Sequence, residues 1–294
     1  MPIDRRARQT ALVDLIDDRE AKVGQLTVRR ALPTRGHRTV GAWCFLDHLG
    51  PITVTEDDVI DIGPHPHMGL QTVTWLFAGE LLHRDSLGSE QLIRAGQLNL
   101  MTAGHGIAHS EEHTGRYRGA HHGMQLWVAQ PAATRDGAPA FEHHADLPQL
   151  DIIGGTATVL VGEQSPARRD TDHFGMELAL HGDAVLELDP RHEHALAVAE
   201  GAVRVDDQVV EPGALAYFAP GADERRFEVR GPTRALLLGG TPFPETVLMW
   251  WNFVARTQVE VTEAFRDWAD DGDRFGTVAS PLARIDVGPP PWQH

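Results

Sequence analysis

The sequence predicts an all-β protein: two consecutive small β-units of barrel or sandwich type, followed by one short helix. Short runs rich in β-branched and aromatic residues recur at intervals of roughly ten residues, with Gly or Pro at most turns, which favours a barrel or sandwich over any α/β plan. The rhythm then repeats, with Ala78-Gly79-Glu80 matching Glu200-Gly201-Ala202 and Arg94-Ala95-Gly96 matching Glu211-Pro212-Gly213. Each half thus has a hairpin turn and then a turn that opens the next strand. Finally, Pro64-His65-Pro66-His67-Met68-Gly69 and Gly104-His105-Gly106-Ile107-Ala108-His109-Ser110-Glu111 each carry metal-ligand side chains two residues apart. At that spacing, side chains on a strand share one face, so His65 with His67 and His109 with Glu111 can converge on one interior point.

In chain order, alternation at Leu26, Val28, Val40 and Ala42, broken by Pro33, Gly36 and Gly41, reads as the first strands. Asp47-His48-Leu49-Gly50-Pro51 reads as a break, and a polar turn at Glu56-Asp57-Asp58 leads into Val59 to Ile62 and the first ligand pair. Leu70 to Phe77 and Glu80 to Asp85 form a hairpin; Gln91 to Arg94 and Gln97 to Met101 follow, then the second ligand segment and a last strand over His121 to Gln130. The small, turn-rich stretch Pro131 to Ala140 reads as a boundary, giving domains 1–132 and 141–294 with a linker at 133–140. Strands of the second half are expected near 156–161, 175–181, 184–188, 195–201, 213–218, 226–230 and 234–238. Thr257-Gln258-Val259-Glu260 has the form of a capping box, and Val261, Phe265 and Trp268 recur at helical spacing, so a helix is expected over about 257–271.

Composition narrows the function. At 294 residues, two domains of ordinary size are the better prior, and no apolar run approaches the ~20 residues of a membrane helix. Acidic residues outnumber basic ones by 42 to 26, a net charge of −16 that repels phosphate backbones and argues against direct nucleic-acid binding. Cys44 is the only cysteine, so no internal disulfide forms, and its apolar surroundings suggest an inert buried thiol. With no apolar segment after the basic N-terminus, a cytoplasmic location is expected.

Any one of the 17 histidines, taken alone, reads as a hydrogen-bonded structural residue. The spacing of His65, His67, His109 and Glu111 reverses that reading. Three neutral imidazoles and one carboxylate suit a divalent transition metal and leave coordination positions open in an octahedral ion. His192 and His194 form a second pair, but the segment that would have to supply its partners reads Pro220-Gly221-Ala222-Asp223-Glu224, so no metal is expected there.

Over nearly its whole length the chain resembles the pirins, bicupin proteins of the cupin superfamily. The resemblance rests on His65-Pro66-His67-Met68-Gly69-Leu70-Gln71-Thr72-Val73-Thr74, His83-Arg84-Asp85-Ser86-Leu87-Gly88, Met101-Thr102-Ala103-Gly104-His105-Gly106-Ile107-Ala108-His109-Ser110-Glu111 and Gln125-Leu126-Trp127-Val128. It implies two cupin, jelly-roll-like barrels, with metal in the first held by His65, His67, His109 and Glu111 and none in the second. Fe(II) is the first candidate, with Ni, Co, Mn, Cu or Zn as alternatives. The resemblance also implies a quercetin 2,3-dioxygenase-type reaction on a small, aromatic, chelating, flavonol-like substrate, with Glu111 as the catalytic base. Its other implication is a non-enzymatic regulator that binds a protein partner. Met68 and Gln71 depart from the family, where Arg and Glu are frequent; Gln71 is expected to hydrogen-bond behind the ligands. His105 is expected to be partly exposed, Glu112 to point away from Glu111, His113 to lie farther out, and His83, His121 and His122 are candidates for the cavity wall.

Overall fold

Side-chain alternation builds each half as two sheets packed face to face. The computed structural model describes residues 13–24, 26–55 and 60–293. The expected turn at Glu56-Asp57-Asp58, with Val59, lies outside these residues, as does the basic N-terminus.

In the first half, a seven-stranded sheet runs in the order Ala140–His144, Leu98–Thr102, Leu70–Ala78, Gly119–Ala129, Trp43–Val54, Leu26–Leu32, Arg19–Val23. A four-stranded sheet of Ile62–His67, Ile107–Glu112, Glu80–Asp85 and Glu90–Arg94 covers its inner face. The second half repeats the plan. Val13–Asp17, Ala214–Phe218, Glu193–Glu200, Thr233–Gly240, His173–Leu180, Gly155–Val161 and Gln149–Ile152 form the larger sheet. Ala184–Glu187, Glu224–Val229, Val203–Val205 and Gln208–Val210 form the smaller one. Neighbouring strands run antiparallel. The expected hairpin does not form, however: Leu70–Ala78 lies in the large sheet and Glu80–Asp85 in the small one, so the turn at Gly79, like that at Gly201, carries the chain from one sheet to the other.

The matched turns share their backbone. Gly79 and Gly201 both have positive φ, +97° and +79°, as do Gly96 and Gly213 at +79° and +112°. A Cβ on Gly201 would lie 2.7 Å from the Pro232 carbonyl oxygen, so glycine meets both a torsional and a steric demand there.

The two seven-stranded sheets pack against each other. Val73, Trp75, Leu126 and Val128 of the first share one buried cluster with Ala195, Ala197, Leu236 and Leu238 of the second. The buried tryptophans keep their N–H groups satisfied across this seam: Trp43 Nε1 donates to the Phe174 carbonyl at 2.9 Å and Trp75 Nε1 to Glu177 at 2.8 Å.

Each large sheet is completed by a strand from outside its own half. Val13–Asp17 pairs with Ala214–Phe218, and Ala140–His144 pairs with Leu98–Thr102. The second of these strands follows directly on the turn-rich stretch read as a linker, and Phe141-Glu142-His143-His144 lacks the β-branched pattern that would announce it. The expected break at Asp47 to Pro51 is instead a bulge within the long strand Trp43–Val54: Gly50 adopts φ +76°, and the pairing slips between His121 and Gly123. Glycine and proline are tolerated in sheets at such bulges.

The helix spans Gln258–Ala269, slightly shorter than expected. Thr257 caps it by accepting from the Glu260 N–H at 3.2 Å. The Glu260 carboxylate reaches back to the Arg256 N–H and to Arg135, so only half of the capping box is closed in its usual way. Val261, Ala264 and Trp268 are buried, packing with Met68, Phe253 and Phe275 at the edge of the first barrel. Among the described residues no helix is long and apolar enough to cross a membrane.

Candidate metal centre

His65 and His67 stand on Ile62–His67, and His109 and Glu111 on the neighbouring strand Ile107–Glu112, with His65 directly opposite His109. Pairing slips between His109 and Glu111, where Gly63 and Pro64 insert on the facing strand, a bulge of the kind found beside functional sites. Just beyond the histidines the segments are tied together by the Gly69 N–H donating to the Gly104 carbonyl at 2.8 Å; both glycines have positive φ, +70° and +53°. This is the local reason for the glycines in both motifs.

One nitrogen from each of His65, His67 and His109 falls within 4.8 Å of the other two. His67 Nε2 and His109 Nε2 are 3.0 Å apart, and two donors at roughly 2.0–2.1 Å from one ion, at right angles, stand about 3 Å apart. His65 Nδ1 lies 2.8 Å from the Gly63 carbonyl oxygen, which leaves its Nε2 lone pair for the cluster. Burial, reinforced by the neighbouring imidazoles, holds His67 and His109 well below their ordinary pKa of 6.5 and brings His65 to about 4. All three rings are therefore neutral at pH 7 and present lone pairs, the form a metal requires. The donor set fits a divalent transition metal.

Glu111 lines the same cavity but is not part of the three-histidine group. Burial pushes its carboxyl up to about 7, against the weaker pull of the Thr74 hydroxyl 3.5 Å away. A divalent cation beside it would favour the carboxylate.

The cavity has a volume of about 340 Å3. The large sheet supplies its opposite wall through alternate residues of two paired strands, Phe45 opposite Trp127 and Asp47 opposite Gln125. The Phe45 and Trp127 rings stack with centroids 3.9 Å apart and an interplanar angle of 11°. Arg30 forms a bidentate pair with Asp47, both contacts at 2.7 Å, and covers the Phe45 ring at 4.5 Å. Lys22, Val23, Trp251, Asn252 and Ile285 complete the lining from the first hairpin and the C-terminal segment. Apart from Gln125 and Trp127, which belong to one of the motifs that carry the family resemblance, these residues did not stand out in the sequence, and none was read as cavity wall. The alternation of Phe45 with Asp47 and of Gln125 with Trp127 was the available signal, but each pair gains meaning only once the two strands are paired.

The other candidates fall elsewhere. Gln71 is in step with Val73 and Trp75 on the face turned to the second barrel, where it donates to Thr102 at 3.0 Å; it does not stand behind the ligands. His105 is exposed, and Glu112 turns away from Glu111 to meet Arg84 and the Ser110 hydroxyl. His113 contacts the Tyr117 carbonyl. His83 is buried behind His109, while His122 joins His48 and Glu200 at the seam and His121 is buried on the same strand; none of the three lines the cavity. In the second barrel His192 pairs with Asp172, His194 is buried near Phe174, and an apolar cluster fills the interior.

His173 and His194, remote from the ligand cluster, give a pH prediction. Burial lowers each to about 4, against the Thr171 carbonyl for His173 and helped by His192 for His194. Unfolded, both would bind protons near 6.5, so between pH 6.5 and 4 the unfolded chain holds more protons and stability falls as pH falls. Between pH 7 and pH 5, urea unfolding of the metal-free protein should show a loss that is smaller by roughly 2 kcal/mol per replaced ring in the His173→Gln/His194→Gln variant, the ligand histidines and other buried rings contributing the remainder in both proteins. Equal losses in both proteins would remove this explanation.

Two duplicated double-sheet barrels, the first with three convergent imidazoles at a cavity, define a bicupin with a histidine metal site. Residues 25–128 match the sequence profile of the pirin family, and residues 175–276 that of the pirin C-terminal cupin domain. A Pseudomonas aeruginosa protein named as a candidate quercetin 2,3-dioxygenase is 44% identical over 294 residues, covering 97% of this chain and 93% of its own. A pirin-like protein of Caulobacter vibrioides is 36% identical over 274 residues, covering 87% and 93%. The crystal structure of quercetin 2,3-dioxygenase from Acinetobacter baumannii superimposes with a TM-score of 0.92 at 41% identity, over 96% of this chain and 97% of that one. The chain belongs to the pirin family.

Proposed function

We propose that the protein is a metal-dependent dioxygenase of the quercetin 2,3-dioxygenase type, acting on flavonol-like substrates at a mononuclear centre held by His65, His67, His109 and Glu111. The observation that carries this reading is the cavity of about 340 Å3 that joins three imidazoles and a carboxylate to a stacked aromatic wall. Its size is at the lower end of the roughly 300–1,000 Å3 typical of small-molecule sites. A protein that only docks on a partner needs no such chamber. The relatives' names point the same way.

A bound divalent ion, Fe(II) first, with Ni, Co, Mn, Cu or Zn as alternatives, supplies Lewis-acid polarisation of substrate oxygens and a route to dioxygen chemistry. A flavonol carries adjacent 3-hydroxyl and 4-carbonyl oxygens suited to chelation once the hydroxyl is deprotonated. Glu111, once its carboxylate swings off the ion, would be the base that takes this proton; among the described residues the Thr74 hydroxyl lies 3.5 Å from that buried carboxylate. Phe45 and Trp127, stacked on each other, give the substrate rings an apolar wall. Gln125 Oε1, a buried acceptor with no donor among the described residues, would accept from a substrate hydroxyl. Arg30, held by Asp47 over Phe45, orders the wall from behind. With the ion bound, dioxygen would cleave the activated ring, its two oxygen atoms entering the ring-opened ester while the 3-carbon leaves with its own oxygen as carbon monoxide.

Anaerobic reconstitution with Fe(II), Ni(II), Mn(II) and Cu(II), followed by oxygen-uptake measurements with quercetin, tests the reading. At least one metal form should consume oxygen only when quercetin is present. No uptake by any fully loaded form would end it.

A further inference from the structure

Behind His109 lies a chain of buried polar groups that leads away from the cavity. His109 Nδ1 is 3.4 Å from His83 Nδ1, and the opposite nitrogen of that ring, His83 Nε2, is 3.1 Å from Asp85 Oδ2. Asp85 is 1% exposed and His83 3%. The other carboxylate oxygen, Asp85 Oδ1, accepts from the Leu87 N–H at 2.9 Å and the Ser89 N–H at 3.0 Å, so the turn after the strand Glu80–Asp85 fixes the carboxylate. Phe141 stacks on the His83 ring at 4.3 Å and 13°, holding its plane.

We propose that Asp85 and His83 form a proton-ordering relay that fixes the tautomer of His109 and so turns its Nε2 lone pair toward the metal. A carboxylate only accepts, so the His83 proton facing it must sit on Nε2. In a neutral His83 ring Nδ1 is then a lone pair that accepts from His109, which places the His109 proton on Nδ1. That leaves His109 Nε2, the atom 3.0 Å from His67 Nε2, unprotonated. Metal-bound histidines commonly have such a partner on the other ring nitrogen, a carboxylate or carbonyl; here the carboxylate acts through a second imidazole. Asp85 and His83 are positioning residues, supplied by the motif His83-Arg84-Asp85 and held partly by Phe141, from the strand that follows the expected linker.

The inference rests on His109 being a metal donor and does not depend on the oxygenase reading. It is tested with Zn(II) alone, by competition with a chelator. In Asp85→Asn the backbone amides hold the side-chain oxygen and turn the amide N–H₂ toward His83, which reverses the proton order and places a proton on His109 Nε2. Zn(II) affinity should fall roughly 10–100-fold. In His83→Gln the side-chain carbonyl can accept from His109 Nδ1, so adding Asp85→Asn to that variant should cost little more. This non-additivity separates the relay from a simple loss of packing. Nitrogen-15 NMR of the Zn(II)-loaded native protein should place a proton on His109 Nδ1, a readout independent of how the variants fold. Native affinity in a folded Asp85→Asn protein, equal losses in the two backgrounds, or metal on His109 Nδ1 would overturn the relay. Absence of Zn(II) binding by the native protein would overturn it together with the ligand assignment.

Discussion

Alanine at His67 or at His109 is expected to yield folded protein that no longer retains a metal ion. The two Nε2 atoms are 3.0 Å apart, and burial keeps both rings neutral, so each substitution removes a ready donor that no other group of the cluster replaces. The affinity loss should exceed the roughly 10–100-fold that follows removal of an outer partner of a ligand. His105→Ala and His192→Ala are the controls, because the first ring is exposed and the second sits in the other barrel against Asp172. Metal analysis of the four purified variants, with unfolding midpoints of their metal-free forms, decides the matter. Unchanged occupancy in His67→Ala or His109→Ala would mean that the ligand set is wrong.

Glu111→Gln is expected to separate binding from turnover. The amide keeps the shape of the side chain and its contact with Thr74, and three imidazoles remain to hold the ion, but the variant cannot take a proton. Loss of a positioned general base lowers rates by about 10²–10⁴. Oxygen uptake with quercetin should fall by that factor when metal content has been matched to the native protein. A fall of only a few-fold at equal occupancy would remove Glu111 from the base role and leave it as a wall residue.

How much of this was legible in the sequence depends on how local each signal is. His65 with His67, and His109 with Glu111, are read from period-two alternation alone, and the structure brings the three imidazoles together as that alternation requires. The duplicated turns at Gly79 and Gly201 are equally local, because positive φ marks the residue itself. Strand pairing is not local. The aromatic wall exists because Phe45 lies opposite Trp127, and no feature of either segment names the other. The exchange of Val13–Asp17 and Ala140–His144 between halves was hidden for the same reason, compounded by the polar residues of both strands. Gln71 shows the cost of reasoning by motif position: its place in the family motif, where Glu is frequent, suggested a site near the ligands, whereas its register with Val73 and Trp75 turns it to the seam between barrels. Glu111 illustrates the remaining gap, since spacing puts a carboxylate on the right face without fixing how far its oxygens reach.

The most direct measurement is the gas balance of a single reaction. Protein reconstituted anaerobically with the metal that gives the fastest oxygen uptake is mixed with quercetin and a known amount of dioxygen, and the carbon monoxide in the headspace is quantified. One carbon monoxide should appear for each dioxygen consumed, with none from the His109→Ala protein treated identically. Oxygen consumption without carbon monoxide, or no consumption at full metal occupancy, would show that this cavity does not carry out a quercetinase reaction.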